Sequence, residues 1–439
     1  MKTKMIVVLI FLVCFSLIVP EAKSTGQAPK DARQLPELAN PTGQAPKDAR
    51  FLPAMVDELR GDPFSDFGRS WQNAPSNAFV YQQISRAFPT AVVWRGDKKE
   101  VSFEYDIQNL RGITFENLLG KKESLGKLLD RTYTNGFLVL KDGKIITEAY
   151  FNGLAPHVRH HLMSVSKSMT SILFGTYVDE GKIKLDELVT TYIPELVGTS
   201  WDGVKVVDVL DMRSDVQYRE EFDNPVAEVW MHEAAVGWRN VGLGRPATNR
   251  QFLTAMNKYE KPDGLFHYRS SETDILGWIM ERVTGIGAAE LMSQRIWKKL
   301  GAEEDAQCMV DREGASVVMG GFGATLRDMA RWGQMVANGG RFDGQQIVSE
   351  EWIERLRQGD HNAFKNYYKM LPKGAYSGQF WITDNKRKIM SALGYGGQMV
   401  YIDKDIDLVI VKFSTWDTPN YDYAIDTFRA FEAVSNYFR

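Results

Sequence analysis

Phe137-Leu138-Val139-Leu140-Lys141-Asp142-Gly143-Lys144-Ile145-Ile146-Thr147-Glu148-Ala149-Tyr150-Phe151 sets two apolar runs on either side of an Asp-Gly pair. Asp-Gly suits the left-handed backbone of a tight two-residue turn, so the stretch reads as a β-hairpin. A short polar loop follows. Ser164 to Glu180 then places apolar residues on one helical face and stops at Gly181, where a helix commonly ends.

Working outward, most segments from about 186 to 325 read as helical, for example Asp274–Val283 and Ala288–Leu300. Leu326–Asn338 reads as another helix before Gly339-Gly340. Strands return at Ile389–Leu393, Gln398–Ile402 and Leu408–Phe413, with Asp403-Lys404-Asp405 turning the last pair. A final helix covers about Tyr423 to Phe438. Strands at both ends and helices between them predict an α+β fold, an α/β sandwich. One antiparallel sheet is built from both chain ends with flanking helices, and a mostly helical subdomain (about 186–325) is inserted. The globular domain is expected to span 79–439.

The N-terminus carries Lys2 and Lys4, an apolar run from Ile6 to Val19, and small residues at Ala22 and Ser24. That is the layout of a signal peptide over 1–24, and the run is shorter than the ~20 residues that cross a bilayer. A periplasmic or secreted location follows, with no stable membrane insertion after cleavage. Residues 25–78 read as an extended polar arm, because Thr25–Arg33 repeats as Thr42–Arg50 and two polar copies cannot make a solenoid.

The net charge of −3, with 25% charged residues, shows no basic stripe of the kind nucleic acid requires. Past the signal only Cys308 remains, so no internal disulfide is possible. It reads as a packing residue.

Ser164-Val165-Ser166-Lys167 is a Ser-x-x-Lys tetrad at the start of a helix. Residues three apart share a face, so hydroxyl and amine can meet. A serine needs a base to become nucleophilic. A lysine serves only if burial lowers its pKa from about 10.4. Ser124-Leu125-Gly126-Lys127 is a second tetrad, in a polar stretch without the apolar helix that follows Ser164. Phe266-His267-Tyr268-Arg269-Ser270 precedes another apolar helix, and a tyrosine beside a Ser–Lys pair can shuttle the proton. Gly394-Tyr395-Gly396-Gly397-Gln398 lies between two strands. Glycines there mark either a plain bulge or close approach of a ligand to backbone N–H groups.

Ser-x-x-Lys, then Tyr-x-Ser about 100 residues on, then a Gly-rich strand motif near the C-terminus resembles the penicillin-binding-type serine hydrolases. That group includes class C β-lactamases, DD-peptidases, family VIII carboxylesterases and 6-aminohexanoate-dimer hydrolases. The segments around Ser164, Asp211-Met212-Arg213-Ser214, His267-Tyr268-Arg269-Ser270-Ser271 and Gly394–Gln398 look nearest to the last branch. The resemblance covers roughly 80 to 439. It implies a β-lactamase/penicillin-binding-like fold and Ser164 as acylated nucleophile. It implies Lys167 and Tyr268 as the general base and acid pair. The Ser164 and Gln398 backbone N–H groups would form the oxyanion hole. Ser270, Tyr395, Gly396, Gly397 and His267 would contact substrate, with no cofactor and no metal.

One departure matters. β-Lactamases and DD-peptidases carry Lys-Thr-Gly or a His variant where this chain has Tyr395-Gly396-Gly397, and no Lys-Ser/Thr-Gly or His-x-Gly occurs anywhere. A neutral aromatic cannot pair with a carboxylate. The expected substrate is therefore a small linear amide or short-chain ester. A β-lactamase or DD-peptidase is the alternative, and a non-catalytic penicillin-binding-like protein the alternative of another class. Oligomeric state is open, a homodimer included.

Other residues are given quieter roles. His157, His160 and His161 lack metal-site partners and read as structural or exposed. Glu220, Glu221 and Asp223 read as a solvated face, with contact to a substrate amine as the other option. Trp230, Trp238 and Trp381 read as core or cleft wall.

Overall fold

Apolar runs from the two halves of the chain meet in one eight-stranded sheet. The computed structural model describes residues 71–239, 246–259, 263–417 and 420–439. The strands are β1 (Glu104–Tyr105), β2 (Thr134–Lys141), β3 (Lys144–Tyr150), β4 (Ala375–Ser377), β5 (Phe380–Asp384), β6 (Ile389–Gly394), β7 (Gln398–Asp403) and β8 (Leu408–Ser414). Their order across the sheet is β4-β5-β6-β7-β8-β2-β3-β1. The two halves join where β8 lies antiparallel to β2, with Leu408 opposite Lys141 and Phe413 opposite Gly136. Asp142 and Gly143 take φ of 52° and 72°, the left-handed pair that the Asp-Gly reading requires.

Successive side chains point to opposite faces of the pleat. Leu138, Leu140, Val400, Val409 and Val411 therefore join one core. Phe137, Val139, Met399, Tyr401 and Ile410 join another on the far face. The principal helices are α1 (Leu125–Arg131), α2 (Val165–Asp179), α3 (Ser270–Thr284), α4 (Leu326–Ala337) and α5 (Tyr421–Tyr437). α2 and α4 belong to the first core, and α1 and α5 to the second.

The helix α2 is buried on every side from Val165 to Tyr177, rather than on one face. Its hydroxyls make this tolerable, since a buried polar group must find a partner. Ser168 Oγ donates to the Gln379 carbonyl at 2.7 Å, Thr170 Oγ1 to the Ser166 carbonyl at 2.8 Å, and Ser166 Oγ accepts from the Phe322 N–H at 3.0 Å. A rule that counts Ser and Thr as polar sees a one-sided helix where the fold makes a central one.

Four expectations need correction. The sheet is not wholly antiparallel, because the edge strand β1 runs parallel to β3. The main sheet is not the only one, although the inserted segment is mostly helical as expected. That segment contains Ala306–Met309 and Phe322–Ala324, which join Thr90–Val93 and His160–His161 in a second, four-stranded sheet. Ala306–Met309 and Phe322–Ala324 are short and contain Gly or Ala, so they lack the β-branched signature. The polar arm does not reach residue 78. Trp71 and Asn77 are buried, and Trp71 Nε1 donates to the Trp238 carbonyl at 3.2 Å. Finally, the stretch around Ser124 is not polar throughout, since α1 buries Leu125, Leu128 and Leu129. Ser124 is the N-cap of α1, accepting from the Lys127 N–H at 3.3 Å, an ordinary capping role.

The signal peptide at 1–24 and both nonapeptide copies lie outside the described residues. Among the described residues no helix is long and apolar enough to cross a membrane.

Ile172 on α2 is fully buried, whereas Leu119 is 77% exposed. Ile172→Ala should cost about 2–5 kcal/mol by loss of burial and creation of a cavity. Leu119→Ala should stay within about 0.5 kcal/mol. Urea denaturation monitored by circular dichroism separates the two.

Candidate active site

Ser164 enters α2 from a constrained turn. Met163 has φ of 48°, a left-handed conformation uncommon for residues other than glycine. Ser164 follows as N-cap, yet its side chain does not cap the helix. The hydroxyl instead accepts from Lys167 Nζ at 2.9 Å. Among the described residues the Ser164 N–H meets no acceptor.

Lys167 is 1% exposed. Its Nζ also donates to the Met319 carbonyl at 2.6 Å, and the Met319 N–H in turn donates to Asp274 Oδ1 at 2.8 Å. Burial lowers the Lys167 pKa to about 8, while Glu220 and Asp274 pull it back up. The amine also lies 5.1 Å from the centroid of the Tyr268 ring.

Tyr268 is partly exposed, and its side chain lies beside Ser164. Burial first, and the charge of Glu220 second, hold its pKa well above the usual tyrosine value. Trp381 stacks on the ring at 5.4 Å, and the Tyr268 N–H donates to the Tyr367 hydroxyl at 3.2 Å. Both contacts fix the phenol against the Ser–Lys pair. Trp381 thus supports the cleft wall, whereas Trp238 packs edge-on against Trp71 in the interior.

The Gly-rich segment is the turn between β6 and β7. Gly394 faces Gln398 across the hairpin, and a side chain at Gly394 would overlap the Leu162 carbonyl oxygen. The hairpin end thus packs directly on the residues that precede Ser164. Gly397 has φ of 94° and lies against Trp416. The Gln398 side chain is turned inward, donating to the Tyr395 and Ser414 carbonyls at 3.2 and 2.7 Å. Only its backbone can face the cleft. The Tyr395 hydroxyl donates to Asn73 Oδ1 at 2.7 Å, its ring 5.2 Å from Phe222. The Gly396 carbonyl accepts from the Trp416 N–H.

Two of the expected substrate-contact residues have partners of their own. His267 pairs with Asp263 at 3.0 Å and lies against Tyr259. Ser270, the first residue of α3, is held by Glu220 rather than by the lysine. Its hydroxyl donates to Glu220 Oε2 at 2.7 Å and its N–H to the same oxygen at 3.1 Å.

Glu220 is the residue that the solvated-face reading missed. A signal was present. Met212, Ser214, Val216 and Tyr218 are buried in alternation, and the same period of two directs Glu220 inward. Met319 and Asp274 carry no such signal, because only the tertiary fold brings them to Lys167. His160 and His161 are buried structural residues in a two-residue strand. Cys308 is buried, and its thiol pKa is pushed up by that burial. Among the described residues no cluster of three or more His, Cys, Asp or Glu side chains could hold a metal ion.

A serine–lysine pair under a Gly-rich hairpin, on a sheet closed by both chain ends, defines the β-lactamase type of serine hydrolase. The sequence pattern of the Beta-lactamase family matches residues 135–435, and the chain belongs to this family. It is 37% identical to a 6-aminohexanoate-dimer hydrolase of Paenarthrobacter ureafaciens over 385 residues, 85% of this chain and 95% of that one. A Bacillus anthracis structure assigned as a 6-aminohexanoate-dimer hydrolase superposes with TM-score 0.76 at 26% identity, covering 84% of this chain and 96% of the other. A family VIII carboxylesterase, at 15% identity and TM-score 0.52 over 70% of this chain and 97% of its own, shares the fold.

Gly394→Ala tests the hairpin contact. The methyl group must push the Leu162–Met163 backbone away from β6, and misplacing a reacting group by ~1 Å can cost about 10²-fold. Ester hydrolysis by this variant should fall by about that factor while its far-ultraviolet circular dichroism stays unchanged.

Proposed function

We propose that the protein hydrolyses linear amides or short-chain esters through a Ser164 acyl-enzyme. The observation that carries this reading is the buried Lys167 amine 2.9 Å from Ser164 Oγ, with its pKa lowered to about 8. The two titrating partners divide the labour. Lys167 loses its proton near neutral pH and acts as base. Tyr268, whose pKa is raised, keeps its proton and acts as acid.

Ser164 Oγ attacks the carbonyl carbon and its proton passes to Lys167. The developing oxyanion is held by the Ser164 and Gln398 N–H groups, the first of which meets no other acceptor among the described residues. The C–N or C–O bond breaks as Tyr268 gives its proton to the leaving group. Water then attacks the acyl-enzyme, losing a proton to the Tyr268 phenolate. Ser164 departs with the proton held on Lys167, and both partners are restored.

The Paenarthrobacter relative is named for the 6-aminohexanoate dimer, and a linear amide of that kind is the substrate class proposed here. Tyr395-Gly396-Gly397 in place of Lys-Thr-Gly weighs against β-lactams. Release to the periplasm or medium, on the layout of residues 1–24, is part of the proposal.

A fluorophosphonate probe should label the wild type and not Ser164→Ala; an unlabelled wild type would overturn the nucleophile. In a panel of p-nitrophenyl butyrate, 6-aminohexanoate dimer, nitrocefin and a D-Ala-D-Ala peptide, the first two should be turned over fastest. The pH profile has a definite sign. Lys167 is inactive while protonated, so kcat/KM should rise with pH, reach half its maximum near pH 8, and then level off. A flat profile from pH 5 to 9 would argue against lysine as base.

A further inference from the structure

Glu220 is the acidic side chain in the cleft wall that the mechanism leaves unused. It is partly buried, and among the described residues it forms no ion pair with Arg or Lys. Its neighbour Arg219 is committed to Glu228. One Glu220 oxygen, Oε2, takes both the hydroxyl and the N–H of Ser270. The carboxylate is therefore aimed by the first residue of α3, two positions beyond Tyr268.

Behind this contact runs a chain of buried polar groups. The Tyr218 hydroxyl faces His232 Nδ1 at 3.1 Å. His232 Nε2 faces Asn249 Oδ1 at 3.0 Å and Asp274 Oδ2 at 3.1 Å. Both are acceptors, so that nitrogen carries a proton. Asn249 Nδ2 donates to the same Asp274 oxygen at 2.8 Å. The other oxygen of Asp274 holds the Met319 N–H, and the Met319 carbonyl holds Lys167 Nζ. The path runs from Tyr218 to Lys167 by way of α3. Lys167 thus feels two carboxylates, Glu220 and, through the Met319 peptide, Asp274.

We propose that Glu220 is a positioning residue for catalysis, the counter-charge that stabilises Lys167 as an ammonium once it has taken the Ser164 proton, held in place by Ser270. This rests on the Ser–Lys reading of the site. A base is stronger when its protonated form has a nearby anion, and in a cleft of low dielectric that effect is large. The charged and titratable groups around Lys167 are Glu220, Asp274 and Tyr268. Those around Glu220 are Lys167, His232, Tyr218, Tyr268, Tyr367, Tyr376 and Tyr421. Burial raises the carboxyl pKa of Glu220 and Lys167 lowers it again. In the reverse direction Glu220 raises that of Lys167. Removing the carboxylate charge must therefore make Lys167 easier to deprotonate and poorer as a base.

The test is the pH dependence of kcat/KM for p-nitrophenyl butyrate, a substrate without an amine, in the full chain. In Glu220→Gln the alkaline limb should move to lower pH by about one unit. The plateau of kcat should fall at least about tenfold, with KM little changed. Glu220→Asp should recover part of the plateau. Ser270→Ala, which frees the carboxylate, should shift the limb the same way by less, and it serves where Glu220→Gln does not fold. A limb unmoved in every variant that folds, or a change confined to KM, would overturn the role of Glu220. If the wild type shows no limb and Lys167→Ala keeps its rate, the Ser–Lys reading falls and the counter-charge falls with it. A limb present in the wild type but unmoved in the variants removes only Glu220.

Discussion

An ammonium group sealed from water beside a serine hydroxyl is the constraint around which the rest of this structure is arranged. Removing a lysine from solvent disfavours its charge, and Lys167 is almost wholly enclosed. Its two hydrogen bonds go to a hydroxyl and a peptide carbonyl, neither of which carries a full charge. The compensating anions stand one step away, at Glu220 and behind the Met319 peptide. That distance matters. A carboxylate bonded directly to Nζ would keep the amine protonated, and no carboxylate at all would leave the proton from Ser164 with no stable place to go.

The architecture supplies this environment through convergence of distant segments. α2 brings Ser164 and Lys167, and α3 brings Ser270 and Asp274 just after Tyr268. The loop after Val318 brings the Met319 carbonyl, and the β6–β7 hairpin closes the remaining side against Leu162 and Met163. Burial of α2 on all faces has a function in this light. A surface helix would leave its first turn wet, and a wet lysine keeps its ordinary pKa.

Legibility in the sequence followed the range of the interactions. The β2–β3 hairpin, α2, α4 and the C-terminal strands β6 to β8 are each specified by local pattern, and their observed limits lie within one residue of the expected ones, except that β2 begins three residues earlier, at Thr134. Ser164, Lys167 and Tyr268 were readable because Ser-x-x-Lys is a helix-spaced pair and the tyrosine opens a second apolar helix. Short strands such as Ala306–Met309 and Ala375–Ser377 were not readable, since pairing rather than propensity makes them strands. Adjacency in sequence does not fix a side chain's partner, since Tyr268 lies over Lys167 while its neighbour His267 faces Asp263. Glu220 lay within reach of period-two reasoning, but the charges around it suggested solvent.

The seam between β8 and β2 has a consequence for how the molecule comes into being. Lys141 and Leu408 are opposite each other in the register, so the sheet cannot close until nearly the whole chain has left the ribosome. Until then β2 presents an unpaired, strongly apolar edge, a template for pairing with another chain. Contacts so far apart in sequence carry a large loop-closure cost before they contribute anything. Closure of the sheet therefore waits on the C-terminal strands, and β2 stays an open edge until β8 arrives.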